Sequence, residues 1–369
     1  MNTKISPFQV AATYIGTVVG AGFASGQEVL QFFGYFGLWG IAGLFLAGAL
    51  FFYFGQIVLR LGHELQADSH VPVIQYAGGR WLGKLIDYVI TFFLFGALTA
   101  MAAGAGSIFF EQFQLSPLLG NAVMILATLA TVLAGISGVI TAISFVVPLL
   151  LVAVLGISLY TLAITGLGNL TLTPPGNPAV PLWPLAAVVY VSYNLVMAVA
   201  ILAPMGKAAG KDDLYRGALL GGLGLGVGAL AILLAVLATL PGSARFSIPM
   251  IYVAGQISPW VQTLYSIVLF AEVYTTAVGS LYGFVIRLAE PESPRLPYIA
   301  VGASIVAFVA SQFGFTNLVR VLYPAVGYAG LLMLAGLLYR TWGKVVLPQP
   351  AFRKKPVQKE EPAKEGDNK

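Results

Sequence analysis

From residue 8 to residue 342 this chain is a near-continuous succession of apolar stretches. Each is about 20 residues or longer, the length an α-helix needs to cross the hydrocarbon core of a bilayer. In that medium every backbone N–H and C=O must find its partner inside the segment, which restricts the stretches to helices. Ten spans follow, at 8–33, 38–60, 84–110, 117–137, 142–166, 184–206, 215–240, 258–287, 297–317 and 321–342. The 61–83 segment carries His63, Glu64, Asp68, His70 and Arg80, too polar to span, and is expected to hold a short interfacial helix. Hydrophobic residues make up 58% of the chain, charged residues 9%, and mean hydropathy is +0.88, which excludes an ordinary soluble domain. There is no cysteine, so disulfides, thiolate metal sites and cysteine nucleophiles are excluded.

Basic residues set the orientation. With ten spans, the N-terminus, the even-numbered connections and the tail share one side. Of the 19 Lys and Arg residues, all but Arg245 and Arg320 fall there, so both termini are expected on the cytoplasmic side of the cell membrane. Met1 to Pro7 lead straight into a full-length span, read as an uncleaved first helix. The +5 net charge thus marks topology and is no nucleic-acid footprint. Residues 353–369 mix charges with proline and are expected to be disordered.

The first span is interrupted. Gly16-Thr17-Val18-Val19-Gly20-Ala21-Gly22-Phe23-Ala24-Ser25-Gly26-Gln27-Glu28 places helix-weak and polar residues at mid-depth and an ionisable side chain shortly after. Gly16 and Gly20 alone would suit a close-packed helix face. The Ser25-Gly26-Gln27-Glu28 run points instead to a broken helix lining a polar cavity, where freed backbone groups hold a substrate or an ion.

Span spacing contains a repeat. The first span centres near residue 21 and the sixth near 195, and the next four pairs keep the same offset of roughly 175 positions. A five-helix unit, being odd, re-enters from the opposite face, so the two copies are inverted. The domain plan is a first repeat at 1–166, an extracellular connection at 167–183, a second repeat at 184–342 and a tail at 343–369. The sixth span, mate of the first, has its own irregularity in Tyr190-Val191-Ser192-Tyr193-Asn194 and Pro204-Met205-Gly206, and is expected to be broken too.

Ten helices in a five-plus-five inverted repeat with broken first and sixth members resemble the LeuT fold of the amino acid–polyamine–organocation superfamily. The run from Gly20 to Glu28 resembles, more narrowly, the YkvI-like amino-acid permeases. The architectural likeness covers about residues 7–342. It implies a secondary transporter and, in sodium-coupled members, an ion held by first-span carbonyls and eighth-span hydroxyls. Carried onto this chain, those ligands are the carbonyls of Gly16, Val19 and Glu272 and the hydroxyls of Thr275 and Thr276. Residues 272, 275 and 276 share one helical face, and oxygen ligands suit a hard cation. Membrane threonines also commonly bond back to their own helix, the alternative for Thr275 and Thr276. A second family ion site needs asparagine where this chain has Phe23. The lysine of proton-coupled relatives has no counterpart, since no Lys or Arg lies between Lys84 and Lys207.

Helix physics defines the substrate site. Freed N–H groups around Gly20, Ala21, Gly22, Phe23, Ala24 and Ser25 suit a carboxylate. Freed carbonyls near Ala21, and near Tyr190, Ser192, Tyr193 and Asn194, suit an ammonium. An α-amino acid carries both groups, and a betaine or an organic amine is the neighbouring solution. Glu28 and Glu272 are the acids well inside spans, where ionisable groups default to function. Glu272 is expected to join the cation or carry a proton. Glu28 either meets a substrate amine or, as the family's outer gate implies with its signs swapped, pairs with Arg320.

The resulting expectation is a cation-coupled transporter of a small zwitterion or amine, foremost an amino acid, with sodium favoured over protons and no other cofactor. An amino-acid-sensing receptor of the spore-germination permease type is the alternative. An enzyme is not expected, because the chain has no metal-ligand cluster and its two histidines, His63 and His70, lie in a connection. The partners are the small molecule and the lipid bilayer.

Overall fold

The computed structural model describes residues 5–134, 137–289 and 293–343. The expected disordered tail lies, beyond residue 343, outside the described residues. The first span is three pieces, α1 (Pro7–Val18), α2 (Ala21–Ala24) and α3 (Gln27–Phe32). Then come α4 (Leu38–Glu64), α5 (Val71–Phe113), α6 (Pro117–Ala134) and α7 (Ser137–Thr165). The second half holds α8 (Trp183–Ala208), α9 (Lys211–Ala238), α10 (Pro249–Ile257), α11 (Pro259–Leu288), α12 (Leu296–Ala310) and α13 (Phe315–Gly343). Nine of the described helices are long and apolar enough to cross a membrane, and the interrupted α1–α3 segment completes the ten spans.

The packing repeats with the predicted symmetry. α4 lies on α8 as α9 lies on α1; α5 meets α13 as α11 meets α7; α6 meets α11 as α12 meets α5. The mated pairs α4–α9, α5–α11 and α6–α12 pack on each other, as elements around a two-fold axis do. A short helix precedes the third span of each half. In the first, residues 71–77 are set off from the rest of α5 by Gly78 and by Gly79, whose φ of 74° and ψ of −173° end the first piece. In the second, α10 plays that part, a helix the apolar pattern leaves between two spans.

Glycines bring α9 close to two partners. A Cβ at Gly217, Gly221 or Gly224 would fall 2.5 Å from Val10, 2.6 Å from Tyr14 or 2.6 Å from Ile15, all on α1. On another face of α9, a Cβ at Gly222 would fall 2.7 Å from the Phe52 backbone nitrogen of α4. Tyr14 is wholly buried and its hydroxyl donates to the Phe51 carbonyl at 2.8 Å. The broken first span is thereby held against the mate of α4.

Two expectations are corrected. α8 runs as one helix from Trp183 to Ala208, so the sixth span is not broken. Its polar residues bond without releasing backbone: Asn194 donates to the Tyr190 carbonyl at 2.9 Å, and Ser192 donates to the Gly327 carbonyl at 2.7 Å. Pro204 is absorbed near the end of the helix. The tenth span also begins earlier than its charge suggests. Gly314, at φ 81°, makes the turn, and Arg320 lies inside α13.

Candidate functional site

Two interruptions shape the centre of the first span. Val19 and Gly20 are extended, and Gly26 is left-handed at φ 77°. The Ser25 hydroxyl closes the second turn, donating to the Gly22 carbonyl at 2.7 Å and accepting from Gln27 N at 3.1 Å. Among the described residues, no backbone bond uses the N–H groups of Ala21, Gly22 and Phe23 or the carbonyls of Gly16 to Val19. These groups need partners of another kind.

Beside the break lies a cavity of about 400 Å³. Its lining takes in residues 16–22 and Glu28 of the first span, with Phe93, Ala97 and Met101 of α5. α8 contributes Tyr193, Asn194, Met197 and Ile201; α11 contributes Glu272, Thr275, Thr276, Gly279 and Ser280; α13 contributes Tyr323. Exposed Ile201 and Gly279 stand at its mouth, towards the end of the bundle where α1 begins. The other end is sealed. Phe32, Phe33, Tyr190 and Phe51 form a buried aromatic stack, with Phe33 and Tyr190 edge to face at 5.0 Å. α10 caps the break there: Met250 N donates to the Ser25 carbonyl at 3.0 Å, and the Tyr265 hydroxyl of α11 donates to the Ala24 carbonyl. Glu111 holds the entry to α10, accepting from Ser247 N at 2.5 Å and Ile248 N at 3.2 Å.

Glu28 is folded back onto the break. Its carboxylate accepts a hydrogen bond from the Tyr193 hydroxyl and lies so close to Gly22 that a Cβ there would sit 1.8 Å from Oε1. Tyr193 is ringed by Tyr323 at 5.2 Å, Phe32 at 5.8 Å and Phe93 at 6.2 Å between centroids. Across the cavity, Glu272 is 3% exposed and its Oε2 is buried with no hydrogen-bond partner among the described residues. The Thr275 hydroxyl donates to the Glu272 carbonyl at 3.0 Å, the back-bonded alternative read from the sequence. The Thr276 hydroxyl faces Gly20, 4.0 Å from where a Cβ would stand. Among the described residues, two carboxyl groups therefore face the cavity and no Lys, Arg or His lines it.

Gly20, Ala21, Gly22, Tyr193 and Asn194, of the residues assigned to substrate, line this space, as do all five assigned to the ion: Gly16, Val19, Glu272, Thr275 and Thr276. The others point elsewhere. Phe23 packs towards Gly228 of α9, Ala24 and Ser25 engage the cap, Tyr190 sits in the aromatic stack, and Ser192 faces α13. A Glu28–Arg320 pair does not form. The sealed end is where such a gate would be closed, yet Arg320 is exposed and the Glu28 carboxylate is turned to Gly22 and Tyr193. Phe93 and Tyr323 join the lining beyond the residues expected from the sequence. Phe93 has no sequence signal, whereas Tyr323, a hydroxyl beside Pro324 within a span, carries one.

At the open end, Asp87 of α5 bonds Arg287 of α11 at 2.6 Å and His70 at 3.4 Å, and Lys207 meets Asp68 at 2.5 Å. Burial holds the His70 imidazole below its ordinary value, with Asp87 opposing that shift.

No family model matches the chain. It is 32% identical over 343 residues to the uncharacterized membrane protein YkvI of Bacillus subtilis (strain 168), covering 91% of this chain and 96% of that protein. It is 30% identical over 327 residues to the uncharacterized protein YyaD of the same organism, covering 88% and 94%. Among solved structures it resembles MhsT in complex with L-phenylalanine (TM-score 0.61, 19% identity, 91% of this chain and 93% of that one). It also resembles Mhp1, a nucleobase-cation-symport-1 family transporter, closed around bromovinylhydantoin (TM-score 0.56, 17% identity, 90% and 78%). A manganese transporter of Eremococcus coleocola aligns with TM-score 0.58 at 13% identity, over 90% and 78%. The chain is a multi-pass membrane protein with the LeuT fold, and it belongs to the family of YkvI and YyaD.

Proposed function

We propose that this protein is a secondary active transporter of the cell membrane that moves a small zwitterion or organic amine, an amino acid or an amine related to one, by alternating access. The observation that carries this reading is one-sided access: the cavity reaches the helix break from the end where α1 begins, while an aromatic stack and α10 close the other end. A ligand held at a break reachable from one side at a time is what alternating access needs. With both termini cytoplasmic, as the basic residues indicate, the open end faces inward. Sodium is the proposed coupling ion. Its ligands are the Gly16, Val19 and Glu272 carbonyls and the Thr275 and Thr276 hydroxyls, with the Glu272 carboxylate close by to neutralise charge. Solved proteins of the same fold include one in complex with L-phenylalanine, a nucleobase-cation-symport-1 family transporter and a manganese transporter, so the fold is compatible with small-molecule and cation transport.

The test uses the absence of native cysteine. Single cysteines are placed at Ile201, at the cavity mouth, and at Gln31, buried at the sealed end with an unpartnered Oε1. A membrane-impermeant maleimide is then applied to each face of oriented vesicles. The ligand-free Ile201→Cys protein is expected to react from the cytoplasmic face only. Some combination of sodium and substrate should protect it and make Gln31→Cys reactive from outside. If Gln31→Cys stays inert under every condition while Ile201→Cys stays open, alternating access is wrong.

A further inference from the structure

The position of Glu28 bears on which ligands the cavity accepts. The broken helix leaves N–H groups at Ala21, Gly22 and Phe23, the natural seat for a substrate carboxylate. In this chain a carboxylate is already beside that seat. Glu28 Oε1 lies where a Cβ on Gly22 would be 1.8 Å away, and the carboxyl carbon would be 2.7 Å away. Tyr193 anchors the other oxygen. An incoming carboxylate would meet this carboxyl group at close range, in a space that no Lys, Arg or His among the described residues lines.

The walls favour the opposite charge. Phe93, Tyr193 and Tyr323 form an aromatic corner, the Phe93 and Tyr323 rings 5.6 Å apart, and each of these side chains lines the cavity alongside Glu28. A carboxylate flanked by aromatic faces recognises an organic ammonium, through a charge-assisted hydrogen bond and cation–π attraction together.

We propose that the substrate is a net cation, an organic amine without a carboxylate, whose ammonium is held by Glu28 and whose body rests against Phe93, Tyr193 and Tyr323. The protein's own Glu28 takes the place that an amino acid's carboxylate would otherwise fill. This rests on the transporter reading and narrows it.

The test is binding to purified protein, by thermal shift and calorimetry, of matched pairs that differ only in the carboxylate: phenylalanine and phenethylamine, tyrosine and tyramine, leucine and isopentylamine. The amine is expected to bind at least about tenfold more tightly than its parent amino acid in one or more pairs. Glu28→Gln, nearly the same size, is expected to weaken that amine by about ten- to a hundredfold. Glu28→Ala, which vacates the seat, should narrow or reverse the preference. Tighter binding of the amino acid by the unmodified protein overturns the proposal, as does binding of neither member of any pair. The unmodified protein thus decides the matter even if a variant folds poorly. Preference for the amino acid together with accumulation in proteoliposomes defeats this proposal and leaves the transporter standing. Binding of the amine without accumulation does the reverse.

Discussion

The Tyr193 hydroxyl donates to the Glu28 carboxylate, joining the middle of α8 to the segment just beyond the break in the first span. Both residues are buried, so the carboxylate depends on this donor. Removing a partner from a buried polar group costs more than the bond itself contributes. Tyr193→Phe should therefore lower unfolding stability by about 1–3 kcal/mol. Tyr190 is the natural comparison, since its hydroxyl is buried with no hydrogen-bond partner among the described residues. Tyr190→Phe should be neutral or stabilising in the same unfolding assay.

Gly22 and Glu28 should be energetically coupled. Gly22→Ala forces a methyl group against Glu28 Oε1 and is expected to destabilise by about 1–3 kcal/mol, the range of an overpacked site. In a Glu28→Ala background the same change meets space. A double-mutant cycle should therefore give a coupling of about 0.5–3 kcal/mol, and strict additivity would show that the close contact is not present in the folded protein.

The first break was legible because glycine changes backbone options locally. Gly20 and Gly26 mark the two interruptions, and Gly22 allows the carboxylate its approach. The sixth span was misread for a related reason. Ser192 and Asn194 look like helix breakers in a linear reading, but their bonds go to the Gly327 carbonyl and to the helix's own Tyr190 carbonyl. Whether a polar residue opens a helix depends on a neighbour far away in sequence. The same limit applies to Phe93 and Tyr323, which acquire a role only when α5 and α13 meet α8. Arg320 was placed by sign and side alone, and neither indicates that Glu28 turns inward to Tyr193.

Thr275 and Thr276 provide a test of the coupling ion. Replacing both by alanine should remove the sodium dependence of ligand binding and leave sodium-independent binding, if any, in place. Thermal-shift titrations with sodium and with choline at equal ionic strength distinguish the two. A doubly substituted protein that still responds to sodium excludes these hydroxyls as ligands.

His70 makes a pH-dependent contribution. Burial depresses its folded-state value, so near the ordinary imidazole value of about 6.5 the unfolded chain binds the proton more readily than the folded one. Stability is then lost as pH falls from about 7 towards 5, and Asp87 beside the ring moderates the loss. His70→Gln should give a flatter melting-temperature profile across that interval. Parallel profiles for the two proteins would contradict the assignment.

The most direct test of the whole account is accumulation of a radiolabelled ligand, chosen by the binding screen, in proteoliposomes with an inward sodium gradient. Uptake above the equilibrium level is expected, collapsing when the gradient is dissipated and, at a ligand concentration that does not saturate the protein, falling at least about tenfold in Glu28→Gln. Saturable binding with no accumulation under any sodium or proton gradient would contradict it and mark the protein as a receptor.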